Sequence, residues 1–431
     1  MKRIYILVSV LLVAGLAAGG YYWFQGRSTP PAPDNMNSEE AWSPQPTVPI
    51  PATLKHPLTA PILRDLNVAF SESESNSIDD AVAKKWNQEL FKLKGALASF
   101  IEAKLNENPA SWKTLEECRA QVVQELQDAL NEASGIVNAQ DGTEGLFFNP
   151  IDPASIRISQ VKDHPDWVAV TTTAEVNCGS DTSFYLFQKK GNGYQLVLRQ
   201  EDDDPKSTGQ EGMDYAISTP DDPKDFFLVL AYGAPWCTSC WGGVQCRVLK
   251  PGPDADHPKV LLDKGFFTYR CGPRNLTAGK DDFLLTYTAS QTLDLELFSR
   301  EATKHYRIVG DKAVLTGPLG QFPQDFLDEW VNLSWEEAEP FCVEKGKAEL
   351  KDWHEKIKNS KGTTSILFVQ TCPDPSRWEI GIETDDHTLP SRIYFEVIQK
   401  GGDLLMEEVR KDRRGDCPGE TTPVPHPGET E

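Results

Sequence analysis

The chain lacks a run of lysine and arginine long enough to track a polyanion: its 43 basic residues are spread among 65 aspartates and glutamates, for a formal net charge of -22. Nothing in it follows a phosphate backbone, so nucleic acid is a poor partner. No GxSxG elbow, Walker loop, dinucleotide fingerprint or HExxH helix occurs. The seven histidines, at positions 56, 164, 257, 305, 354, 387 and 426, include no pair at the helical spacing that sets two imidazoles on one metal. No catalytic group assembles from these motifs, and neither cofactor nor metal is expected.

One long uncharged stretch stands out. Ile4 to Gly20 follows Met1-Lys2-Arg3 and precedes Tyr21-Tyr22-Trp23. A basic start with an apolar core is read by the export machinery, and the Lys/Arg excess keeps that end cytoplasmic. Residues 1–24 are therefore expected to be a signal anchor, with the membrane as partner through residues 4–24 and the bulk of the chain outside the cell membrane. Ala17-Ala18-Gly19 offers a cleavage site, and its use would give a secreted or periplasmic chain. Residues 25–61 are rich in proline, which disfavours helix and sheet, and read as a linker or stalk.

Residues 62–140 read as a helical hairpin. Val82, Trp86, Leu90, Leu93, Leu97, Ile101 and Leu105 make one apolar stripe; Leu115, Cys118, Val122, Leu126 and Leu130 make a second. Ser77 with Asp80 and Thr114 with Glu117 are expected caps, Pro109 separates the pair and Gly135 ends the second helix. From 141 to 320 the pattern changes to short strands, and a strand followed by a hairpin recurs from Trp167, Phe226 and Phe283. Helices return over Pro323 to Ile357, with Ser334 and Glu337 as a cap. The region 321–417 closes with the strands SILFVQTC, WEIGIET and RIYFEVIQKGGDLLMEEVRK, and 418–431 reads as a disordered tail. The expected fold class is α+β: mainly antiparallel sheet of repeated strand-hairpin units with a helical insertion. Too few blades are evident for a closed propeller. Gly191-Asn192-Gly193 and Gly401-Gly402 are expected hairpin turns.

Ala234-Pro235-Trp236-Cys237-Thr238-Ser239-Cys240, following the apolar strand Phe226 to Tyr232, resembles the active-site segment of thioredoxin-like oxidoreductases. The resemblance implies that Cys237 attacks as a thiolate and Cys240 resolves the mixed disulfide. That family has a helix next, whereas Trp241 to Cys246 reads here as loop entering a strand. Cys178 lies 11 residues after Trp167, as Cys237 does after Phe226, so the two occupy matching loops and suggest architecture. Structural pairing is the expectation. Of nine cysteines, Cys118 is the one to stay single on its helical stripe. Cys178, Cys237, Cys240, Cys246, Cys271, Cys342, Cys372 and Cys417 are the disulfide candidates, with Cys372 to Cys417 the first pair to test because each ends a C-terminal strand before a proline. Zinc on Cys237, Cys240, Cys246 and Cys271 competes but has irregular spacing.

Glu201 to Asp204, Asp221-Asp222, Asp254-Ala-Asp256-His257 and Asp385-Asp386-His387 are acidic or mixed clusters better read as polar loops than as metal sites. Asn275 and Asn332 match glycosylation acceptors. The functional expectation is a membrane-tethered extracytoplasmic binding or scaffold protein, non-catalytic, with an envelope protein as partner. The alternative is a thiol-disulfide oxidoreductase using Cys237 and Cys240.

Overall fold

The computed structural model describes residues 80–107, 114–141, 155–176, 179–201, 211–222, 225–233, 241–269, 274–290, 293, 299–317 and 319–417. The expected membrane segment, the linker and the tail lie outside these residues. Among the described residues no helix is long and apolar enough to cross a membrane.

The architecture is α+β, dominated by antiparallel strands. Helices α1 (Asp80–Asn106) and α2 (Leu115–Asp141) precede four four-stranded meanders. The first is β1 (Arg157–Gln160), β2 (Trp167–Val176), β3 (Gly179–Lys190) and β4 (Gly193–Gln200). The second is β5 (Glu211–Ile217), β6 (Leu228–Gly233), β7 (Trp241–Lys250) and β8 (Lys259–Tyr269). The third is β9 (Asn275–Ala278), β10 (Asp282–Ser290), β11 (Ser299–Val309) and β12 (Lys312–Gly317). Helices α3 (Pro323–Asn332), α4 (Trp335–Ala338) and α5 (Lys347–Lys358) then lead to the fourth: β13 (Thr364–Thr371), β14 (Arg377–Thr384), β15 (Arg392–Lys400) and β16 (Asp403–Arg410).

In each sheet the strand order is the chain order, and every pairing is antiparallel. The recurring strand and hairpin is the later three strands of a sheet: β2 to β4, β6 to β8 and β10 to β12. The missing first members are short or polar. RISQ and NLTA have four residues each and EGMDYAI carries two acids, so none shows the alternation that marks a half-buried strand. At the hairpin tips Gly401 and Gly402 take φ values of 65° and 99°, where a side chain is disfavoured.

The layers follow from which residues alternate. Leu90, Leu93, Leu97, Ile101 and Leu105 of α1, with Cys118, Val122, Leu126 and Leu130 of α2, pack on Val168, Val170, Tyr185 and Phe187 of the first sheet. From Leu90 to Leu105 and from Cys118 to Leu130 the helical stripes are thus satisfied within the chain. The sheet's other face, Trp167, Ala169, Phe184 and Leu186, meets Phe226, Leu228, Leu230 and Tyr232 of the second. Phe227, Val229 and Ala231 point the opposite way, toward Phe283, Leu285 and Tyr306 of the third sheet. A strand buried on both faces has no polar positions to alternate, which is why β6 reads as one apolar run. The fourth sheet joins the same core through α3 and α5, by Ile380, Ile382, Phe395 and Val397. Helices cover the first sheet, and Leu284, Val309 and Val314 of the third are exposed.

Thr114 accepts the Glu117 N–H at 3.2 Å, as the cap requires, and the Glu337 carboxylate accepts the Ser334 N–H at 3.2 Å and its hydroxyl at 2.9 Å. Gly135 does not end α2, which continues to Asp141. One glycine inside a helix costs only about 1 kcal/mol against alanine, too little to break it. Helix α1 also blunts a sheet edge: Asn106 accepts the Tyr194 N–H at 2.6 Å and returns its own to the Tyr194 carbonyl at 2.8 Å.

Gly381 of β14 lies where a Cβ would come within 2.5 Å of the Phe368 ring. Gly381→Ala is expected to force this ring aside and to destabilise by about 1–3 kcal/mol, read as a lower midpoint in urea unfolding with the m-value unchanged.

Candidate functional site

The cysteines are where the sequence places chemistry. Cys372 and Cys417 are bonded, with Cα atoms 4.6 Å apart across 45 residues of sequence. Cys118 is a buried free thiol on the α2 stripe. Cys246 and Cys342, expected among the bridging cysteines, are free and buried instead. The reason is the face each occupies: both belong to the central apolar core, Cys246 beside Val244 and Val248 on β7 and Cys342 after Phe341. Burial pushes these thiols up, Cys118 and Cys342 to about 11 and Cys246 to about 12, with the Trp330 side chain pulling Cys342 the other way. A thiol so raised is no nucleophile at neutral pH. All three are expected to resist iodoacetamide in the native chain and to alkylate only on denaturation, a difference that mass spectrometry of the two samples measures.

Cys178, Cys237, Cys240 and Cys271 lie outside the described residues. Immediately after Cys240, strand β7 begins at Trp241 and runs to Lys250. Where thioredoxin-like enzymes have the helix whose N-terminus stabilises a thiolate, this chain has a strand.

The mixed clusters are loop braces. Asp254 Oδ1 accepts the N–H groups of Asp256 and His257 at 3.0 Å and lies 2.7 Å from His257 Nδ1. Asp386 accepts from Thr388, Lys361 and Ser360 at 2.6 to 2.9 Å, which holds its carboxyl well below the usual range, and Asp385 accepts from the Thr363 hydroxyl at 2.8 Å. His387 is exposed. Asp221 pairs with Lys280. Among the described residues no group of three or more His, Cys, Asp or Glu is arranged to hold a metal. Asp202 to Asp204 lie outside them.

Among the described residues, buried ions outside the sequence motifs include the Lys94–Asp181 pair and two larger centres. The first lies between the third sheet and α3. Arg300 and Lys304 of β11 point inward with Ala302 and Tyr306, and meet Asp325, Asp328 and Glu329 on one face of α3. Arg300 Nη2 donates to Glu329 Oε1 at 2.7 Å, its Nε lies 3.4 Å from Asp325, Lys304 contacts the other Glu329 oxygen, and Asp328 accepts the Leu293 N–H at 2.9 Å. Lys304 is 3% exposed; burial, with Arg300 and Lys264 nearby, pushes its ammonium well below the ordinary value. Such a lysine is chemically unusual, but every charge around it is engaged in joining two layers. The signal was present in EATKHY, where alternation puts Lys304 in an inward slot between Ala302 and Tyr306.

The second centre is the face of the fourth sheet turned away from the core. Glu379 and Glu396, opposite each other on β14 and β15, are 0% and 1% exposed. Arg410 and Arg413 reach Glu379 at 3.2 and 3.3 Å, the Arg414 N–H donates to it at 2.7 Å, and Arg414 and Arg377 hold Glu396. Arg413 also donates to Gln370 and lies 4.8 Å from the Phe368 ring centroid. Fork-shaped guanidinium groups suit this work, since each offers several donors to flanking carboxylates. The arrangement pins a segment over a sheet. It presents no nucleophile beside a base, the pairing that acyl or glycosyl transfer would need.

Compared with known proteins, the chain matches no protein-family model and no curated protein.

Proposed function

We propose that this chain is a membrane-tethered extracytoplasmic binding or scaffold protein, non-catalytic, anchored through residues 4–24 and carrying its layered sheets on a proline-rich stalk. The observation that carries this is the Cys372–Cys417 bond at the far end of a chain that begins with Met1-Lys2-Arg3 and an uncharged segment. Disulfides persist in oxidising compartments, and the amino end is written for export to one. The engagement of buried ions between layers supports a structural role for them, and an envelope protein is the partner class we assign.

Fractionation of the producing cells tests the reading. The full chain is expected in the membrane pellet after carbonate washing, cleavable by protease added outside, and to lose the pellet association when residues 1–24 are deleted. A chain dissolved in cytosol with all thiols reduced overturns it. Insulin reduction that disappears in Cys237→Ser would move the assignment to a thiol-disulfide oxidoreductase, against which the strand at Trp241 weighs.

A further inference from the structure

We propose that the Cys372–Cys417 bond latches a strap, residues 411–417, over the outer face of the fourth sheet, and that reducing this bond releases the strap while the four sheets stay folded. Strand β16 ends at Arg410, and the chain beyond it turns back so that Cys417 meets Cys372 just past β13. On the way it lays Arg413 over Glu379, Gln370 and Phe368, and Arg414 over Glu379 and Glu396. Among the described residues no backbone-to-backbone hydrogen bond ties 411–417 to the sheet. The contacts that hold the strap include the Arg414 N–H on Glu379, the side chains of Arg413 and Arg414, and one covalent bond.

The sheet does not depend on the strap in the same way. Its strands are joined by antiparallel ladders between Thr364 and Arg410, with one register shift at Ile366–Phe368 and one at Glu396–Val397, and its other face is seated in the central core by Ile380, Ile382, Phe395 and Val397. The strap arginines remain 28% and 30% exposed in their side chains, and when they lift Arg410 still pairs with Glu379 and Arg377 with Glu396, so neither buried carboxylate is left without a cation. Both cysteines are buried, and the bond makes each local opening futile because Cys417 cannot leave.

A dithiol undoes this by exchange. Its thiolate attacks one sulfur of the bridge, its second thiol resolves the mixed disulfide, and two electrons and two protons pass to Cys372 and Cys417 as thiols while the dithiol departs oxidised. What the open state uncovers is the face of Glu379 and Glu396, 0% and 1% exposed when latched, with Arg377 and Arg410 of the sheet still beside them. The inference concerns a redox-dependent state of one face and stands apart from membrane tethering.

Native trypsin digestion of the full chain tests it, with and without dithiothreitol, read by mass spectrometry after complete reduction so that bridged fragments are not hidden. Cleavage after Arg413 and Arg414 is expected to quicken at least about tenfold on reduction, with sites in the four sheets unchanged. Cys372→Ser/Cys417→Ser isolates this bond from the remaining cysteines and is expected to be cut at the fast rate with no reductant. Equal rates in both redox states overturn the proposal, as does loss of protection throughout all four sheets at once, which would make the bond a support of the whole fold.

Discussion

Glu329→Ala is expected to destabilise the folded chain by about 3–5 kcal/mol, because it leaves Lys304 and Arg300 buried without their shared carboxylate. Glu329 is 7% exposed and touches both cations. Asp325 lies 3.4 Å from Arg300 and keeps that guanidinium partly satisfied, so the cost falls mainly on Lys304. Thermal unfolding of the variant measures the effect, since a loss of this size is a large fraction of the roughly 5–15 kcal/mol that holds a domain together. A change below about 1 kcal/mol would mean that water reaches the pair.

The companion variant separates the value of the pair from the penalty of breaking it. Lys304→Met with Glu329→Leu removes both ions and fills their space, and is expected to recover most of the loss, because desolvation of two charges consumes much of what their attraction returns. Phe266 assists that replacement: Lys304 Nζ already lies 5.9 Å from its ring centroid, so an apolar tip finds a partner there. If the double variant is as unstable as Glu329→Ala alone, the cluster holds the layers in register by its geometry and not only by avoiding unpaired charge.

These interior ions mark the boundary of what the sequence makes legible. Strands with clear alternation or unbroken apolar runs, such as Trp167–Val176 and Leu228–Gly233, were readable, as were the stripes of α1 and α2 and the pairing of Cys372 with Cys417. The short polar strands β1, β5 and β9 were not, because neighbours and not their own pattern put them in a sheet. An export signal implies oxidation and makes Cys246 and Cys342 disulfide candidates, but compartment says nothing of where a thiol points, and both are free in the core. Lys304, Glu379 and Glu396 stand in strands where a charge ordinarily reads as a solvent-facing residue. Lys304 is covered by α3, and the two glutamates by Arg413 and Arg414 with Arg377 and Arg410; such covering is a long-range fact that local pattern does not carry.

Trp330→Ala is expected to cost about 3–5 kcal/mol, from lost apolar contact and from the cavity left in a core that cannot collapse around it. Trp330 is completely buried and is the hub of the helical insertion: Trp335 meets it edge-on at 6.5 Å between ring centroids and His354 at 4.7 Å. The Trp330 carbonyl lies 3.0 Å from His354 Nε2, so α3 and α5 are joined by packing and by a polar contact. Because this core also carries Ile380 and Phe395, the fourth sheet should loosen with the insertion, and hydrogen exchange in β14 and β15 should quicken along with α3. The histidine adds a pH dependence. Burial, with Lys358 nearby, lowers His354 below its ordinary value of about 6.5, while the Trp330 carbonyl opposes the shift. The unfolded chain therefore takes up a proton first as pH falls, so the stability from this group is whole above about 6.5 and is lost as pH drops from there toward the folded-state value. Thermal midpoints between about pH 7 and pH 5 should fall less steeply in His354→Phe than in the parent, and an unchanged slope would place the histidine in contact with water.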